Sequence, residues 1–375
     1  MIVLALVLYF STFTIAKEVT WKFLFLGQSN MEGNVEVQRL TTTLKLLHPP
    51  PSSSKNGNNK DDIQRQLVQH FQTSESSVPT PKSVYQFEAL ELLRLRREGY
   101  LTRTFDKPVS NVECSFYQLE FNQSYTIPGT KGKLFADHEK LSPNAHCGLD
   151  FGPELMFGHV LKKRILGKRK KNNKPTAKSI SIVKIAAGGS SIKKNWSKRR
   201  GSFWKTMMDY LMVETTKPKK DKVEWKGIVW FQGESDAFNL YQAQRYEGEL
   251  RTLIANLRRA LFQMDTSKTF ASPKDIPVVI VGLGCWIAGS PMGRLVMFTQ
   301  SLVVSSTPNT ILIPTKDLSC HYHYDDASQL IIGERIANAL LNTTTLLPHS
   351  PKTKKKKKPS SSSTKKKRES KAEHD

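Results

Sequence analysis

The sequence predicts an α/β sandwich in which helices cover both faces of a five-stranded parallel sheet. Five short runs are rich in Val, Ile, Leu or Phe and lack sustained alternation of apolar and polar residues, as is typical of strands buried on both faces. Segments with helical spacing of apolar residues separate these runs, and such strand–helix repetition implies right-handed crossovers. Polar, glycine-containing motifs follow several runs, at the strand ends where open α/β sheets bind ligands.

The predicted elements alternate along the chain. The strands are residues 21–26, 180–186, 227–231, 276–283 and 310–314. The helices are residues 154–166, 203–213, 240–264, 292–304 and 326–341. The connection after the first strand is much longer than the others. We expect residues 85–152 to elaborate that connection within one domain covering residues 17–350.

The first 16 residues are uncharged and mostly apolar, which predicts a signal peptide. They are too few for a bilayer span, which needs roughly 20 residues. Thr14 and Ala16 are small residues at the two positions that a signal peptidase inspects, so we expect cleavage after Ala16. The protein would then be secreted, or lie in the secretory lumen, without a membrane span. The alternatives are an uncleaved signal anchor and a buried first strand or helix.

Two other segments have the composition of loops rather than of packed structure. Residues 49–82 contain a run of three Pro and three Ser and an Asn-rich run, which predicts a flexible insert in the domain. Residues 351–375 consist mainly of Lys and Ser, which predicts a disordered basic tail because such a composition cannot bury a core.

The formal net charge of +24 is concentrated in two places. Residues 162–200 hold 15 basic residues and no acidic one, and residues 350–375 hold 11 basic residues against three acidic ones. The rest of the chain is therefore nearly neutral. Neither run interleaves its cations with base-stacking aromatics, beyond the single Trp196, which argues against specific nucleic-acid binding. The basic loop and tail predict only a weak contact with polyanions.

The cysteines and sequons fit an oxidising, secretory compartment. No two cysteines form a CxxC pair, so a structural zinc site of the usual spacing is not expected. The four cysteines permit three full pairings, with buried free thiols as the alternative; they are Cys114, Cys147, Cys285 and Cys320. Three Asn-x-Ser/Thr sequons predict glycosylation at Asn122, Asn195 and Asn342.

Polar motifs follow four of the five predicted strands. They are Gly27-Gln28-Ser29-Asn30-Met31, Gly188-Gly189-Ser190-Ser191, Gln232-Gly233-Glu234-Ser235-Asp236 and His321-Tyr322-His323-Tyr324-Asp325. Ser29 is the candidate nucleophile, because a hydroxyl at a strand-to-helix turn is exposed beside free backbone N–H groups. It does not lie in a GxSxG motif, and the alternative is that Ser29 only caps the following helix.

In this order, the motifs resemble those of the sialate O-acetylesterase-like (SASA-type) carbohydrate esterases of the SGNH hydrolase superfamily. The pair formed by GQSNM and QGESD carries the resemblance, which spans about residues 21–341. Residues 148–155 and 333–337 resemble further segments of that family. The resemblance implies a flavodoxin-like SGNH fold and hydrolysis of O-acetyl esters on a carbohydrate, with no metal and no organic cofactor.

The resemblance also implies a role for each site residue. Ser29 would be the nucleophile, and His323 the general base that deprotonates it. The oxyanion of the tetrahedral intermediate would be held by the Ser29 backbone N–H, a backbone N–H of Gly188 or Gly189, and the side-chain amide of Gln232. The alternative for Gln232 is a buried amide bonded to backbone.

One departure from the family concerns the acid that orients the catalytic histidine. The family often has Asp three residues before this histidine, and here that position is Cys320. Either the site works as a Ser–His dyad, or another acid serves; the candidates are Asp317, Glu234 and Asp236. The missing acid also supports an alternative function, that of a catalytically weakened SGNH-fold protein that binds carbohydrate or polyanions.

Two neighbours of His323 raise further hypotheses. His321 would form a His-x-His metal pair with it, which Asp325 could join, but only His323 matches the family's histidine.

In a flavodoxin-like order the fourth and fifth strands are neighbours, and a cysteine follows each of them. We therefore predict the disulfide Cys285–Cys320 and, from the remaining cysteines, Cys114–Cys147. Candidates for stacking against a sugar are Trp196, Trp286 and Tyr241.

Overall fold

A computed structural model describes residues 19–32, 37–49, 60–73, 80–119, 132–143, 151–167, 177–216, 222–284, 286–320 and 322–343. Several sequence predictions lie outside these residues: the signal peptide, the basic tail, Asn122, Cys147, Cys285 and His321. In the part of the chain that the structure describes, no helix is long and apolar enough to cross a membrane.

Among the described residues, seven strands form one sheet in the order β3-β2-β4-β1-β5-β6-β7. The strands are β1 (Val19–Gly27), β2 (Val112–Leu119), β3 (Gly132–Lys140), β4 (Ser179–Ala186), β5 (Lys222–Phe231), β6 (Val278–Val281) and β7 (Thr310–Ile313). Neighbouring strands are parallel except β2 and β3, which pair in antiparallel fashion at one edge. The five predicted strands correspond to β1, β4, β5, β6 and β7, and they have the expected flavodoxin-like order.

The sheet has seven strands, so the prediction of five was wrong. The two additional strands lie in the long first connection, and their sequences are VECSFYQL and GKLFADHEK. Polar residues interrupt both sequences, so neither has the continuous apolar run by which the other strands are recognised. A charged strand such as β3 suits the edge of a sheet, because its side chains discourage pairing with another chain.

Helices cover both faces of the sheet, which gives the predicted three layers. They are α1 (Ser29–Glu32), α2 (Val37–Leu47), α3 (Lys60–Gln72), α4 (Lys82–Arg97), α5 (Glu154–Leu161), α6 (Trp204–Thr216), α7 (Leu240–Met264), α8 (Pro291–Ser306) and α9 (Asp326–Leu341). In β1, Phe23 and Phe25 pack in the core that α2 to α5 and α9 complete. Leu24 and Leu26, which point to the other face, pack in the core that α6 to α8 complete.

Part of the predicted flexible insert is a packed helix. Helix α3, Lys60–Gln72, lies inside residues 49–82 and buries Ile63, Leu67, Val68 and Phe71. These residues follow helical spacing, so they form one apolar face that the first core takes up. The Pro, Ser and Asn runs before this helix concealed it, and the prediction of a flexible loop is corrected for residues 60–72.

Both described cysteines are disulfide-bonded. Cys114 lies on β2 with no exposed surface, and Cys320 follows β7. The predicted partners, Cys147 and Cys285, are outside the described residues, so the pairing stays a prediction.

Candidate active site

Ser29 lies at the carboxyl end of β1, in the middle of the sheet. It begins the single helical turn α1, in which the Met31 and Glu32 N–H groups donate to the Gln28 carbonyl oxygen at 2.8 and 3.0 Å. Gly27 is required just before this turn, because a Cβ at that position would lie 2.2 Å from the Phe231 carbonyl oxygen of β5. The close approach of β1 and β5 therefore positions the half-buried Ser29 between two strand ends.

Asn30 connects the serine turn to two other strand-end segments. Its Nδ2 donates to Glu234 Oε1 at 2.7 Å, and its Oδ1 accepts a hydrogen bond from the Tyr324 N–H at 3.1 Å. The residue after Ser29 is thus bonded to the residue after His323. Gln329 of α9 adds a bond from its Nε2 to the Asn30 carbonyl oxygen at 3.2 Å. The blocks of Ser29, Glu234 and the half-buried His323 therefore meet at one point.

The loop after β4 borders Ser29, and its two glycines differ. A Cβ on Gly188 would lie 3.8 Å from Ser29 Cβ, so the loop is adjacent to the serine. The Gly188 N–H, however, donates to Glu32 Oε1 at 2.8 Å, which corrects its expected role as an oxyanion donor. Gly189 is exposed and has a φ of +68°, a left-handed conformation that favours glycine. Among the described residues its N–H has no hydrogen-bond partner, so it is available as a donor.

The side-chain amide of Gln232 does not face an oxyanion, and this expectation is also corrected. Its Nε2 donates to the Ser190 carbonyl oxygen at 2.8 Å and to Asp236 Oδ2 at 2.6 Å. An amide has only two N–H bonds, and both are used here. Gln232 is 1% exposed and holds the end of β5 to the loop after β4. The alternative of a buried amide bonded to the protein is the one observed.

Of the three candidate acids, Asp236 is bonded within the protein interior. Its Oδ2 accepts from Gln232 and from the Ile192 N–H at 3.1 Å. Burial raises its pKa to about 6, although these hydrogen bonds act in the opposite direction. Asp236 therefore stabilises the loop after β4, which is a structural role.

Asp317 is bound to an arginine on the outside of the domain. Arg335 of α9 donates from Nη1 to Asp317 Oδ1 at 2.9 Å and from Nη2 to Asp317 Oδ2. Hydrogen bonding to Arg335 lowers the pKa of this exposed carboxyl. Because Arg335 already binds both of its oxygens, Asp317 is a weaker candidate than Glu234 for supporting the histidine.

Glu234 is the candidate acid that contacts the serine block. Its Oε1 accepts from Asn30, while its Oε2 is buried and has no hydrogen-bond partner among the described residues. Burial raises the pKa of Glu234, and the Asn30 bond opposes this shift. A carboxyl group of this kind, beside a serine and a histidine loop, is typical of an active site.

Two expectations near the loop after β4 do not agree with the structure. Trp196 is fully buried and donates from Nε1 to Ser190 Oγ at 2.9 Å, so it offers no face to a sugar. The sequon residue Asn195 is 6% exposed; its Oδ1 accepts from the Ser191 N–H, and its Nδ2 donates to Ser202. A glycan on that nitrogen is incompatible with this packing.

Exposed aromatic side chains surround the carboxyl end of the sheet instead. Tyr241 is 55% exposed, as the stacking hypothesis requires, and Lys193 Nζ lies 4.8 Å from its ring centroid. Two aromatic residues not predicted as sugar contacts, Phe238 and Tyr322, are 57% and 59% exposed. The sequence does not show which side chains are exposed. Both residues lie within four positions of Glu234 or His323 in the sequence, and this proximity could have indicated them. Asn342, at the end of α9, is exposed and compatible with its predicted glycan.

One group of described residues has the spacing of metal ligands, and it lies away from the serine. It consists of Asp137, His138 and Glu214. Lys22 Nζ is 2.8 Å from Glu214 Oε2 with both side chains buried, so a cation already neutralises this carboxylate. The hypothesis of a metal at Asp325 has no support, because its two oxygens accept from Ser328 N–H and Ser319 Oγ.

Comparison with known proteins assigns the chain to a group of enzymes. A family model described as carbohydrate esterase, sialic acid-specific acetylesterase, matches residues 121–342, which is more than half of the chain. The match includes Gly189, Glu234 and His323 and begins after Ser29. A relative from Arabidopsis thaliana, named a probable carbohydrate esterase, is 24% identical over 208 residues, covering 55% of this chain and 68% of the relative.

Two solved structures are similar to the chain at identities below 20%. The X-ray structure of the Arabidopsis thaliana protein has a TM-score of 0.48 at 18% identity, and the alignment covers 86% of this chain and 98% of that one. A carbohydrate acetylesterase from Xanthomonas citri has a TM-score of 0.37 at 15% identity, with 86% of this chain and 55% of that one covered.

Proposed function

The chain belongs to the sialic acid-specific acetylesterase family of carbohydrate esterases, and on this premise we propose that it removes O-acetyl groups from a carbohydrate through an acyl-enzyme on Ser29. As a member of this family it is a carboxylic ester hydrolase. The observation that carries the proposed mechanism is the Asn30 side chain, which bonds to Glu234 and to the Tyr324 N–H. This amide brings the serine, an acid and the histidine block to one strand-end cluster.

The reaction proceeds in two halves. Ser29 Oγ attacks the acetyl carbonyl carbon while His323 takes the hydroxyl proton, and the tetrahedral intermediate collapses as His323 returns the proton to the sugar oxygen. The deacetylated sugar leaves. Water then attacks the acetyl-serine with His323 again as base, and acetate leaves as Ser29 regains its proton. No bond in this sequence requires a metal or an organic cofactor.

The oxyanion is held by the backbone N–H groups of Ser29 and Gly189. Gly189 supports this assignment because it is exposed and directly follows Gly188, which borders the serine, and its N–H has no partner among the described residues. Neither Gly188 nor Gln232 is included, since their N–H groups donate within the protein. Losing one donor of this kind typically costs about 10²–10³-fold in kcat.

Glu234 supports the site through Asn30 and does not need to touch the imidazole. Its carboxyl holds the Asn30 amide, and that amide holds the Tyr324 N–H next to His323. A Ser–His dyad with this indirect support takes the place of the family's Asp-x-x-His arrangement, in which Cys320 now occupies the acid's position.

The test is acetate release from O-acetylated sialic acid and from acetylated xylo-oligosaccharides. We expect wild type to release acetate from at least one of them, and Ser29→Ala and His323→Ala to lose nearly all of this activity. Ser301→Ala, an exposed serine on α8, and His321→Ala serve as controls and should retain it. Equal rates for wild type, Ser29→Ala and His323→Ala would contradict the assignment.

A binding protein with a weakened site is the second candidate function, and Cys320 in the acid's position is the observation that favours it. The same preparations separate the two functions. Saturable binding of the acetylated oligosaccharide by wild type without any acetate release would identify a binding protein.

A secretory location and the disulfides Cys285–Cys320 and Cys114–Cys147 remain part of this proposal. Non-reducing peptide mapping of secreted material tests them together with cleavage after Ala16. A Cys114–Cys320 peptide, or free thiols, would contradict the pairing.

A further inference from the structure

A buried glutamate on α4 holds the loop that carries His323. We call residues 319–328 the histidine loop. Glu88 has no exposed surface, and its Oε1 accepts hydrogen bonds from the Ser319 N–H at 2.6 Å and from Ser328 Oγ at 2.7 Å. These two serines are the first and last residues of the loop, so one carboxylate oxygen holds both of its ends.

Asp325, inside the histidine loop, bonds to the same two serines. Its Oδ1 accepts from the Ser328 N–H at 2.9 Å and caps α9, and its Oδ2 accepts from Ser319 Oγ. Ser319 therefore donates its N–H to Glu88 and its hydroxyl to Asp325. Ser328 does the reverse, with its hydroxyl donating to Glu88 and its N–H to Asp325. Ser328 Oγ also lies 2.8 Å from the Ser319 carbonyl oxygen, so its one hydroxyl proton is shared between this oxygen and Glu88.

The location of these bonds suggests what they do. Ser319 directly precedes Cys320, which stands where related enzymes often have the acid that orients the histidine. At the other side of His323, the Tyr324 N–H is fixed by Asn30. His323 therefore lies next to Tyr324, which is bonded to Asn30 of the serine turn. Ser319 and Ser328, on either side of it in the sequence, are bonded to Glu88.

We propose that Glu88 is a positioning residue of the esterase site, which fixes the histidine loop from α4 and so substitutes for the acid that Cys320 has replaced. This inference rests on the proposed function. Glu88 acts on the loop backbone and the serine hydroxyl, and it touches neither substrate nor the reacting atoms. Helix α4 belongs to the long first connection, so this connection supports a loop that lies more than 200 residues later in the sequence.

The electrostatics of the pair predict which substitutions are tolerated. Burial raises the pKa of Glu88 well above its usual value, and the charge of Asp325 raises it further. Burial also raises the pKa of Asp325, with a contribution from the neighbouring Asp326. Burial and the neighbouring Asp325 thus disfavour the charged form of Glu88, and its role rests on the hydrogen bonds that its Oε1 accepts. A glutamine, which is neutral and keeps the Oε1 acceptor, should replace it.

The experiment compares Glu88→Ala and Glu88→Gln with wild type in kcat, KM and melting temperature. Glu91→Ala is the matched control, since Glu91 lies on the same helix but is half-buried and paired with Arg94. We expect Glu88→Ala to lower kcat by about 10²-fold, because a small displacement of a catalytic group has an effect of this order, with KM changed by less than about 3-fold. Glu88→Gln should restore kcat to within about 3-fold of wild type, and Glu91→Ala should match wild type.

Hydrogen exchange provides a readout that does not depend on activity. Glu88→Ala should accelerate exchange in peptides of the histidine loop, whereas Glu88→Gln should leave it unchanged. If the alanine variant does not fold, Ser328→Ala removes one hydroxyl bond from the same group and should show a smaller loss of kcat and the same local exchange effect.

The outcomes separate the two levels of the argument. A wild-type protein that releases no acetate overturns the proposed function, whatever the exchange data show. An active wild type with unchanged kcat in Glu88→Ala overturns the positioning role, and so does a loss in Glu88→Gln as large as that in Glu88→Ala. A fall in kcat explained entirely by a smaller folded fraction, with normal exchange in the loop, overturns it as well.

Discussion

At the scale of single residues, Asn30 is the amide on which the candidate site depends. It is 1% exposed, and both ends of its side chain are bonded, one to Glu234 and one to the Tyr324 N–H. Removing this amide leaves the carboxyl and the N–H without partners in a buried place, and it releases the backbone next to His323.

We expect Asn30→Ala to lower kcat by about 10–10²-fold with little change in KM, since the groups that it positions act on the reacting atoms. Asn342→Ala, at the exposed end of α9, is the control and should match wild type in both constants. A wild-type kcat in Asn30→Ala, measured by acetate release, would show that the bridge does not position the histidine.

Gly189 gives a second prediction at this scale. At a φ of +68°, any L-residue costs about 1–2 kcal/mol, although a Cβ would meet no atom within 4 Å. We expect Gly189→Ala to relieve this strain by turning the N–H away from the serine, which lowers kcat by about 10-fold or more. Gly248→Ala also meets open space but lies within helix α7, so it should leave kcat unchanged. Equal kcat values for the two variants would remove Gly189 from the oxyanion site.

That the strand-end motifs lie close together was predictable from the sequence, but the orientation of their polar groups was not. The strand-end motifs identified Ser29, Glu234 and His323 as neighbours because strands of a parallel sheet end at one edge. The family resemblance assigned oxyanion roles to Gly188 and Gln232, whose N–H groups donate to Glu32, Ser190 and Asp236. Which acceptor a buried amide meets depends on packing between distant segments, and no local pattern encodes it.

At the scale of elements, a buried carboxylate joins helix α6 to three strands. Glu214 of α6 accepts from Lys22 of β1 at 2.8 Å and from the Tyr117 hydroxyl of β2 at 2.7 Å, and it lies 3.3 Å from His138 Nε2 of β3. Burial by itself would raise the pKa of Glu214. The bonds and charges of His138, Lys22 and Tyr117 outweigh burial and hold the pKa well below its usual range.

This shift fixes the sign of a pH effect. A carboxyl whose pKa is lower in the folded than in the unfolded protein stabilises the fold above the unfolded value of about 4.3, and this stabilisation disappears as the pH falls. We expect Glu214→Gln to lower the free energy of unfolding at pH 7 by about 3–5 kcal/mol, since it leaves a buried lysine without its charge partner.

Urea unfolding at pH 7 and at pH 4 measures both effects. The glutamine variant should lose less stability than wild type between the two pH values, because it has no carboxyl to protonate. Asp209→Asn, an exposed acid on the same helix, should behave as wild type does. A Glu214→Gln variant with wild-type stability and wild-type pH dependence would contradict the account.

Elements were recognisable where burial on both faces produced a continuous apolar run, and they were missed elsewhere. Helices α7 and α9 have the predicted bounds, since both combine an apolar face with polar capping residues, Asn239 and Asp325. The edge strand β3 and its neighbour β2 were missed because polar residues interrupt both sequences. Helix α3 was missed because low-complexity sequence precedes it, although its apolar face is regular.

In the whole molecule, the two segments that carry most of the positive charge contain none of Ser29, Glu234 and His323. Most of the +24 belongs to residues 162–200 and 350–375. One of these cations, Lys184, is not solvated at all: it is fully buried on β4, 3.2 Å from Glu154 Oε2, and donates to the Glu32 carbonyl oxygen at 3.0 Å. None of the candidate site residues named above belongs to residues 351–375.

We therefore expect deletion of residues 351–375 to leave kcat and KM for a neutral acetylated oligosaccharide unchanged. The same deletion should lower the salt concentration that elutes the protein from heparin, because it removes a run of cations whose attraction to a polyanion is screened by salt. A full-length variant with glutamine at positions 354–358 should show a part of this shift. An unchanged elution, or a loss of kcat on deletion, would contradict the separation of charge and chemistry.

The overall architecture followed from the sequence because alternating apolar runs and helical segments predict helices on both faces of a parallel sheet, and the family resemblance implied the order of its strands. The first connection did not follow, since its strands and helices are recognisable only by what they pack against. That connection contributes Glu88, so the part of the fold that was least predictable also supports the predicted histidine.

The central claim is that an acetyl group passes through Ser29, and covalent trapping tests it most directly. Wild type is mixed with p-nitrophenyl acetate, quenched in acid during steady turnover, digested and mapped by mass spectrometry. We expect one acetyl group on the peptide that contains Ser29, and none in Ser29→Ala or in wild type denatured before mixing. An active wild type whose acetyl group lies on another residue, or whose Ser29 peptide stays unmodified while Ser29→Ala turns over at the same rate, would contradict it.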